Sequence, residues 1–470
     1  MTQPTKSSGL QKVLGARAVI ALSFGAMIGW SWVLLSANWV ADAGWLGAPL
    51  AFLIGGVAIL LIGLLYAELA SAMPKTGGEH VYVLRALGPT ASFWCSWALL
   101  MAYATVCVFE AVALPTGVEY LLPQITVATL WSVEGSAVDA GFVLVGVLGT
   151  ALVTWANYVG IRTAAIVQSI ATAIIVGCGV LLMTGAALNG STEQATAPIA
   201  NGIAGITAVI IMVPAMLVGF DVIPQSAEEI DLPPRRVGVL LAVSVALAVA
   251  WYAFISLSVG LGISAAELSE APPMGSAVAA SNLWRSPFAG QLLVLGGIGG
   301  ILTSWNAFVL GASRLMYAMA SDGMLPAAIA RVHPRHGTPH IAILIIGISC
   351  AFAPLAGRTI LVWLVDAGSF TIVIAYIFVA FAFLALRKNE PAMPRPFRLP
   401  AGLLMGRLAL VSGLGLFCLY LPFSPSGLKW PQEWLIVLGM GLLGALVYAT
   451  HKEAISQPSA AASDGRPNPS

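Results

Sequence analysis

The chain has 470 residues, 59% of them hydrophobic and 9% charged, and its mean hydropathy is +0.92. No water-soluble globule of this size covers so much apolar surface with so few charges, so the composition defines an integral membrane protein. The formal net charge of +1 comes from 21 basic and 20 acidic side chains spread between apolar runs, which excludes the basic patch that a nucleic-acid partner requires.

A helix that crosses the bilayer core needs about 20 apolar residues. Runs of that kind predict spans at 15–38, 46–72, 90–121, 138–157, 163–187, 203–225, 237–263, 289–318, 340–356, 360–386, 404–422 and 432–450. The expected fold is therefore all-α, with about twelve transmembrane helices, of which 340–356 is a short one. Residues 1–14 carry Lys6 and Lys12 and lead into the first span without a small-residue cleavage site, so they read as a retained N-terminus and not a signal peptide. The Ser/Ala/Pro-rich stretch 455–470 reads as a disordered tail. Cys95, Cys107, Cys178, Cys350 and Cys418 fall in or at the edges of spans, without a CxxC pair, as small core residues do.

Charge placement tests this segmentation. Lys75, Arg85, Arg162, Arg235, Arg236, Arg314, Arg331, Arg335, Arg387, Lys388, Arg395, Arg398, Arg407 and Lys452 all fall on the side of the N-terminus, while the other side keeps Arg285, Arg358 and Lys429. A miscounted span would move every later basic loop across. By the positive-inside rule both termini are cytoplasmic, in a cell membrane. The outer loops carry Asp42, Glu119, Glu134, Asp139, Glu193, Glu267 and Glu270.

Two spans are interrupted at matching places. The first holds Gly25-Ala26-Met27-Ile28-Gly29, and the sixth holds Pro214, Gly219, Phe220, Asp221 and Pro224. Gly and Pro in a span free backbone groups that need other partners. Paired interruptions point to the binding site of a secondary transporter built from inverted repeats. Residues 15–187 and 203–386 are then two five-helix units of opposite topology, with 404–450 appended. No residue-by-residue repeat is visible, so the symmetry rests on topology and the two breaks. The chain reads as a carrier of small polar solutes.

Four stretches in this order resemble the amino acid-polyamine-organocation (APC) superfamily of permeases, over the chain to about residue 450. They are Gly25 to Gly29; Tyr66-Ala67-Glu68-Leu69 followed by Pro74 to Tyr82; Gly219-Phe220-Asp221 with Glu228-Glu229-Ile230 and Pro233 to Arg236; and Ser313 to Pro326. The resemblance implies a LeuT-like fold with five-plus-five inverted repeats and broken helices 1 and 6. It also implies transport of amino acids or related amines by alternating access, with polyamine or ethanolamine-type amines as the alternative substrates. The family's first break usually reads Gly-Ser-Gly-Ile-Phe; here Met27 replaces the third small residue and Gly29 the aromatic.

Each candidate residue has a chemical reason and a structural alternative. Gly25, Ala26 and Gly29, with Met27 and Ile28 between them, let the backbone unwind and present amides to a carboxylate, or else allow close helix packing. Asp221, beside Gly219 and Phe220, is an acid inside a span and so a candidate for substrate or proton contact; alternatively it caps the break by accepting freed amides. Glu110, alone among small, aromatic and aliphatic residues of the third span, rises to about the level of the breaks and is a candidate for substrate or proton, or for a structural hydrogen bond. Thr303 and Ser304 in the eighth span form a hydroxyl pair of the kind that holds Na⁺ in sodium-coupled relatives, or they satisfy their own backbone. Trp305 and Phe308 on the same span complete the candidate substrate contacts. Glu228 and Glu229 are expected in a solvated gate or loop salt bridge near Arg235 and Arg236. The fifth span lacks the lysine that some proton-coupled members carry, and Ile175 stands about where it would fall.

A membrane enzyme or sensor is the competing class. The five histidines, His80, His333, His336, His340 and His451, all lie at segment ends on the cytoplasmic side, so no catalytic cluster, cofactor or structural metal is expected. H⁺ coupling, Na⁺ coupling and plain exchange stay open. If Glu110 and Asp221 share one cavity, either a cationic substrate compensates them or one acid is protonated.

Overall fold

A computed structural model describes residues 12–125, 127–133, 136–270 and 274–456. Lys6, Glu134 and residues 457–470 of the expected tail lie outside the described residues. In chain order the helices are α1 (Ala16–Met27), α2 (Ser31–Ala43), α3 (Gly47–Ala72), α4 (Glu79–Leu87), α5 (Pro89–Leu121), α6 (Ala140–Val159), α7 (Ile161–Asn189), α8 (Gly202–Ile210), α9 (Val213–Leu217) and α10 (Val222–Gln225). They continue with α11 (Pro234–Gly262), α12 (Ala265–Ser269), α13 (Gly275–Trp284), α14 (Pro287–Ser321), α15 (His340–Phe352), α16 (Ile360–Asn389), α17 (Gly402–Leu419) and α18 (Gln432–Ser456).

Two interruptions define the bundle. The first span is split into α1 and α2 by Ile28, Gly29 and Trp30, and the sixth into α8, α9 and α10. Taking each broken span as one, eleven apolar helical segments among the described residues are long enough to cross a membrane. The ninth of the expected spans, His340–Ala356, is shorter. Pro354 stops α15, which tightens into a 3-10 turn over Ala353–Ala356. Its 13 α-helical residues rise about 20 Å, less than the roughly 30 Å of a hydrocarbon core.

The membrane bundle is all-α as expected, and one loop adds a short ribbon. Strands β1 (Thr129–Val133) and β2 (Ser136–Asp139) pair antiparallel between the third and fourth spans. Thr129, Trp131 and Val133 are β-branched or aromatic and suit a pleated ribbon. Trp131 Nε1 donates to Leu355 O at 3.0 Å, fastening the ribbon to the turn after α15.

Within the bundle α3 packs along α11, α5 lies against both α14 and α16, and α7 lies against α14 and α1. Rows of bulky apolar side chains stay exposed at helical spacing, such as Leu144, Leu148, Leu152 and Trp155 on α6, and Leu435, Leu438, Leu442 and Leu446 on α18. In water such faces would be a liability; in a bilayer they are the solvated surface. Four of the cysteines are buried and Cys418 is exposed, all unpaired.

Ion pairs gather at the two ends of the helices. At the end rich in basic residues, Arg395 and Arg387 both meet Glu68 and Arg85 meets Glu390 at 2.5 Å, while His80 shares a hydrogen bond with Asp322 at 2.8 Å. The other end holds Arg358–Glu119 at 2.6 Å. Glu229 departs from expectation: it is 1% exposed and both its oxygens take bonds from Arg314, at 3.2 and 3.0 Å. Arg235 and Arg236 are exposed instead. A carboxylate buried there needs a partner that is buried with it, and Arg314 near the end of α14 is that partner.

Candidate functional site

The break in the first span is unequal in its two halves. Four carbonyls on its α1 side are bonded by side chains of other helices or of α2. Ala21 O accepts from Gln168 and Thr172, Gly25 O from Thr303 at 3.0 Å, Met27 O from Tyr252 at 2.7 Å and Ile28 O from Trp32 at 3.1 Å. The amides are treated differently. Among the described residues, those of Gly29 and Trp30 find no backbone acceptor. They lie at the start of α2, where the helix dipole also favours negative charge.

The two breaks touch. Gly219 has φ +130°, a conformation that side-chain-bearing residues avoid. A Cβ placed on it would lie 2.8 Å from Ala26 Cβ and 3.0 Å from Met27 N. Asp221 Oδ1 accepts from Gly219 N at 2.8 Å, which is the capping geometry weighed from sequence. Phe220 stacks on Tyr376, with ring centroids 5.6 Å apart, and meets Tyr66 edge-on at 5.1 Å.

Beside this junction lies a cavity of about 40 Å³, lined by residues of α1, α2, α5, α9, α14 and α16 and by the breaks. Ala26, Met27, Gly29, Glu110, Ser304 and Phe308 line it; Gly25, Ile28, Gly219, Phe220, Asp221, Thr303 and Trp305 do not. Gly25 packs against α7, where an added Cβ would meet Thr172 Oγ1 at 2.3 Å. Thr303 Oγ1 donates to Gly25 O and to Gly300 O, at 3.0 and 2.7 Å. Ser304 Oγ donates to Glu110 Oε1. Trp305 is buried toward α6, 3.5 Å from where a Gly149 Cβ would stand. Glu110 is thus the one acid on the cavity wall, and its Oε2 has no hydrogen-bond partner.

Much of the wall carries no sequence signal. Ala102, Val106, Phe109, Met216, Leu364 and Ile372 are apolar residues in apolar helices, and nothing in their types separates them from lipid-facing neighbours. Asp366 is different, a buried acid of α16 that the rule for intramembrane charges should have singled out. On α7, Ile175 stands against Gly300, close to Gly29 O. Polar contact from α7 to the first span comes instead from Gln168 and Thr172. Gln168 Oε1 accepts from Asn306, whose own Oδ1 accepts from Asn157. Because Ala21 O can only accept, the direction of every amide in that chain is fixed.

A bundle of apolar helices whose broken first and sixth members meet beside a small cavity is a multi-span membrane permease. This chain belongs to the amino acid permease family, whose model matches residues 14–445, and so to the APC superfamily. It is 26% identical over 460 residues, 95% of each chain, to the branched-chain amino acid permease of Bacillus subtilis (strain 168). It is also 26% identical to the aspartate-proton symporter of that organism, over 96% of this chain and 87% of the other. Human Asc-type amino acid transporter 1 is 27% identical over 83% of this chain and 74% of its own. The protein is a carrier of amino acids or related solutes, not an enzyme.

Proposed function

We propose that this permease carries neutral α-amino acids with a small or branched aliphatic side chain across the cell membrane by alternating access, driven by protons. The observation that carries the reading is the imbalance at the first break, where carbonyls are bonded and the Gly29 and Trp30 amides are free beside an apolar cavity. A substrate carboxylate accepts from those amides. Its ammonium group meets Glu110, and its side chain lies among Val106, Met216, Val218, Phe308 and Ile372. One acid on the wall balances one ammonium, so a zwitterion suits the site better than a diamine. The similarity to a branched-chain permease supports this substrate class, and the similarity to a proton symporter supports the coupling ion.

The free space is enough for only a few water molecules, so the helices around it must part to admit a substrate. A LeuT-like inverted repeat provides that motion. Four pairs of spans that such a repeat would relate lie against one another: the first with the sixth at Gly219, α3 with α11, α5 with α14 and α6 with α15. Sodium held by the Thr303 and Ser304 oxygens is the competing coupling ion, and it fails if uptake survives the removal of Na⁺.

Uptake into proteoliposomes tests this. Valine, leucine and isoleucine should compete with one another, their decarboxylated amines should not, and replacing Na⁺ by choline should leave uptake unchanged. Equal competition by the amines would show that the free amides do not bind a carboxylate.

A further inference from the structure

A second pair of acids is buried away from the cavity wall. Glu79 is the first residue of α4, directly after Gly77 and Gly78, whose φ angles of +105° and +44° turn the chain inward. Its side chain has no exposure, and Gln225 Nε2 donates to its Oε2. Gln225 ends α10 and Asp221 stands directly before that helix, one helical turn from Gln225, and both are buried. The charge of Asp221 is felt at Glu79. Tyr66 from α3, Tyr103 from α5 and Tyr376 from α16 each feel both carboxylates, whereas Tyr82 and Cys95 feel Glu79. Those are the titratable groups facing the pair from α3, α4, α5 and α16.

No cation compensates them. Among the described residues neither Glu79 nor Asp221 forms an ion pair, and the adjacent His80 is engaged with Asp322, Ser92 and Ser96. Most of the polar side-chain atoms around them are oxygens, and several are orphaned. Glu79 Oε1, Asp221 Oδ2, Gln225 Oε1 and the hydroxyls of Tyr82 and Tyr376 complete no hydrogen bond, while the Tyr66 hydroxyl faces Glu79 and the Tyr103 hydroxyl faces Asp221. Buried polar atoms of folded proteins rarely go unsatisfied, and a cluster of them in one place asks for a bound proton and the water that carries it. Burial first, and then the Asp221 charge, push the Glu79 carboxyl well above the ordinary carboxylate range.

Resting on the transport reading above, we propose that Glu79 and Asp221 hold one proton between them and that this is the proton the permease moves with its substrate. Two like charges in a low-dielectric site do not both ionise, so the pair titrates as a unit. The proton bonds to a carboxylate oxygen when the site faces the side of higher proton concentration and returns to water on the other side. One positive charge then crosses with each neutral substrate. Glu110 stays free for the ammonium group, and Glu79 does not touch the substrate.

The test uses the full chain in proteoliposomes containing a trapped pH dye. Labelled leucine counterflow should persist in Glu79→Gln, whereas accumulation driven by a pH gradient and the leucine-linked dye signal should disappear. Gradient-driven accumulation equal to wild type in Glu79→Gln would overturn the proposal. If counterflow is lost as well, Glu79→Asp decides: it should restore counterflow with a shifted pH midpoint, and an unshifted midpoint would count against the pair. The wild type separates the two readings. Saturable uptake without any dye signal sinks the shared proton together with the proton drive but leaves the amino acid carrier standing, whereas no saturable uptake of any amino acid sinks the transport reading and the proton with it.

Discussion

A methyl group on Gly29 would stand 2.4 Å from the Ser304 hydroxyl and 3.3 Å from Glu110 Oε1. Gly29→Ala must therefore push apart the two groups that meet on the cavity wall, and such overpacking costs about 1–3 kcal/mol. If the strain falls on the bound state, substrate affinity drops roughly tenfold to hundredfold. A thermal-shift titration with leucine reads this directly; unchanged affinity would mean that the wall moves freely and the glycine serves helix packing only. Glu110 was legible in the sequence because an isolated acid in an apolar helix has few cheap places to be. Asp221 was equally visible, yet only coordinates reveal that one oxygen caps Gly219 and that the residue lies off the cavity. Glu79 stood inside a quoted motif without a role, because its position after a polar loop gives no hint that α4 tucks it into the interior.

At the scale of helices, the tie between α14 and the segment after α10 rests on Arg314 and Glu229, 1% and 2% exposed in their side chains. The Glu229 backbone carbonyl also accepts from Val13 and Leu14, at 2.9 Å each, so the same residue holds the segment that precedes α1. Removing one partner leaves a buried charge uncompensated, which costs about 3–5 kcal/mol. Arg314→Met should therefore lower the unfolding midpoint markedly, and Arg314→Met with Glu229→Leu should recover much of the loss. A double variant as unstable as the single one would show that packing, not charge, is at stake. The sequence placed the broken helices correctly because Gly and Pro have strong backbone consequences. It failed on the solvated role for Glu229, since sequence order favours the near Arg235 and Arg236 while the fold brings in Arg314 from 85 residues away.

Across the whole molecule, hydropathy and charge together made most of the bundle readable, and the exceptions have local causes. Span length is set by composition, but α15 is cut short by Pro354, and the β1–β2 ribbon is too brief to register against long apolar runs. Orientation is the part that still rests on charge alone. The ion pairs join loops that the segmentation had placed on the same side, such as Arg85 with Glu390 and Glu68 with Arg387 and Arg395. They support one basic end, and the positive-inside rule predicts that this end is cytoplasmic. Single cysteines can test it, provided they replace exposed residues. Arg395 is a poor probe, with 4% of its side chain exposed in its pair with Glu68, whereas Arg235, Arg398 and Glu270 are exposed. In a background lacking Cys418, which is itself exposed, Arg235→Cys and Arg398→Cys should stay protected from an impermeant thiol reagent in intact cells, and Glu270→Cys should label. Opening the cells should expose all three. Labelling of Arg235→Cys and Arg398→Cys together from outside would turn the bundle over, whereas labelling of Arg398→Cys alone would change the number of spans between α11 and α17.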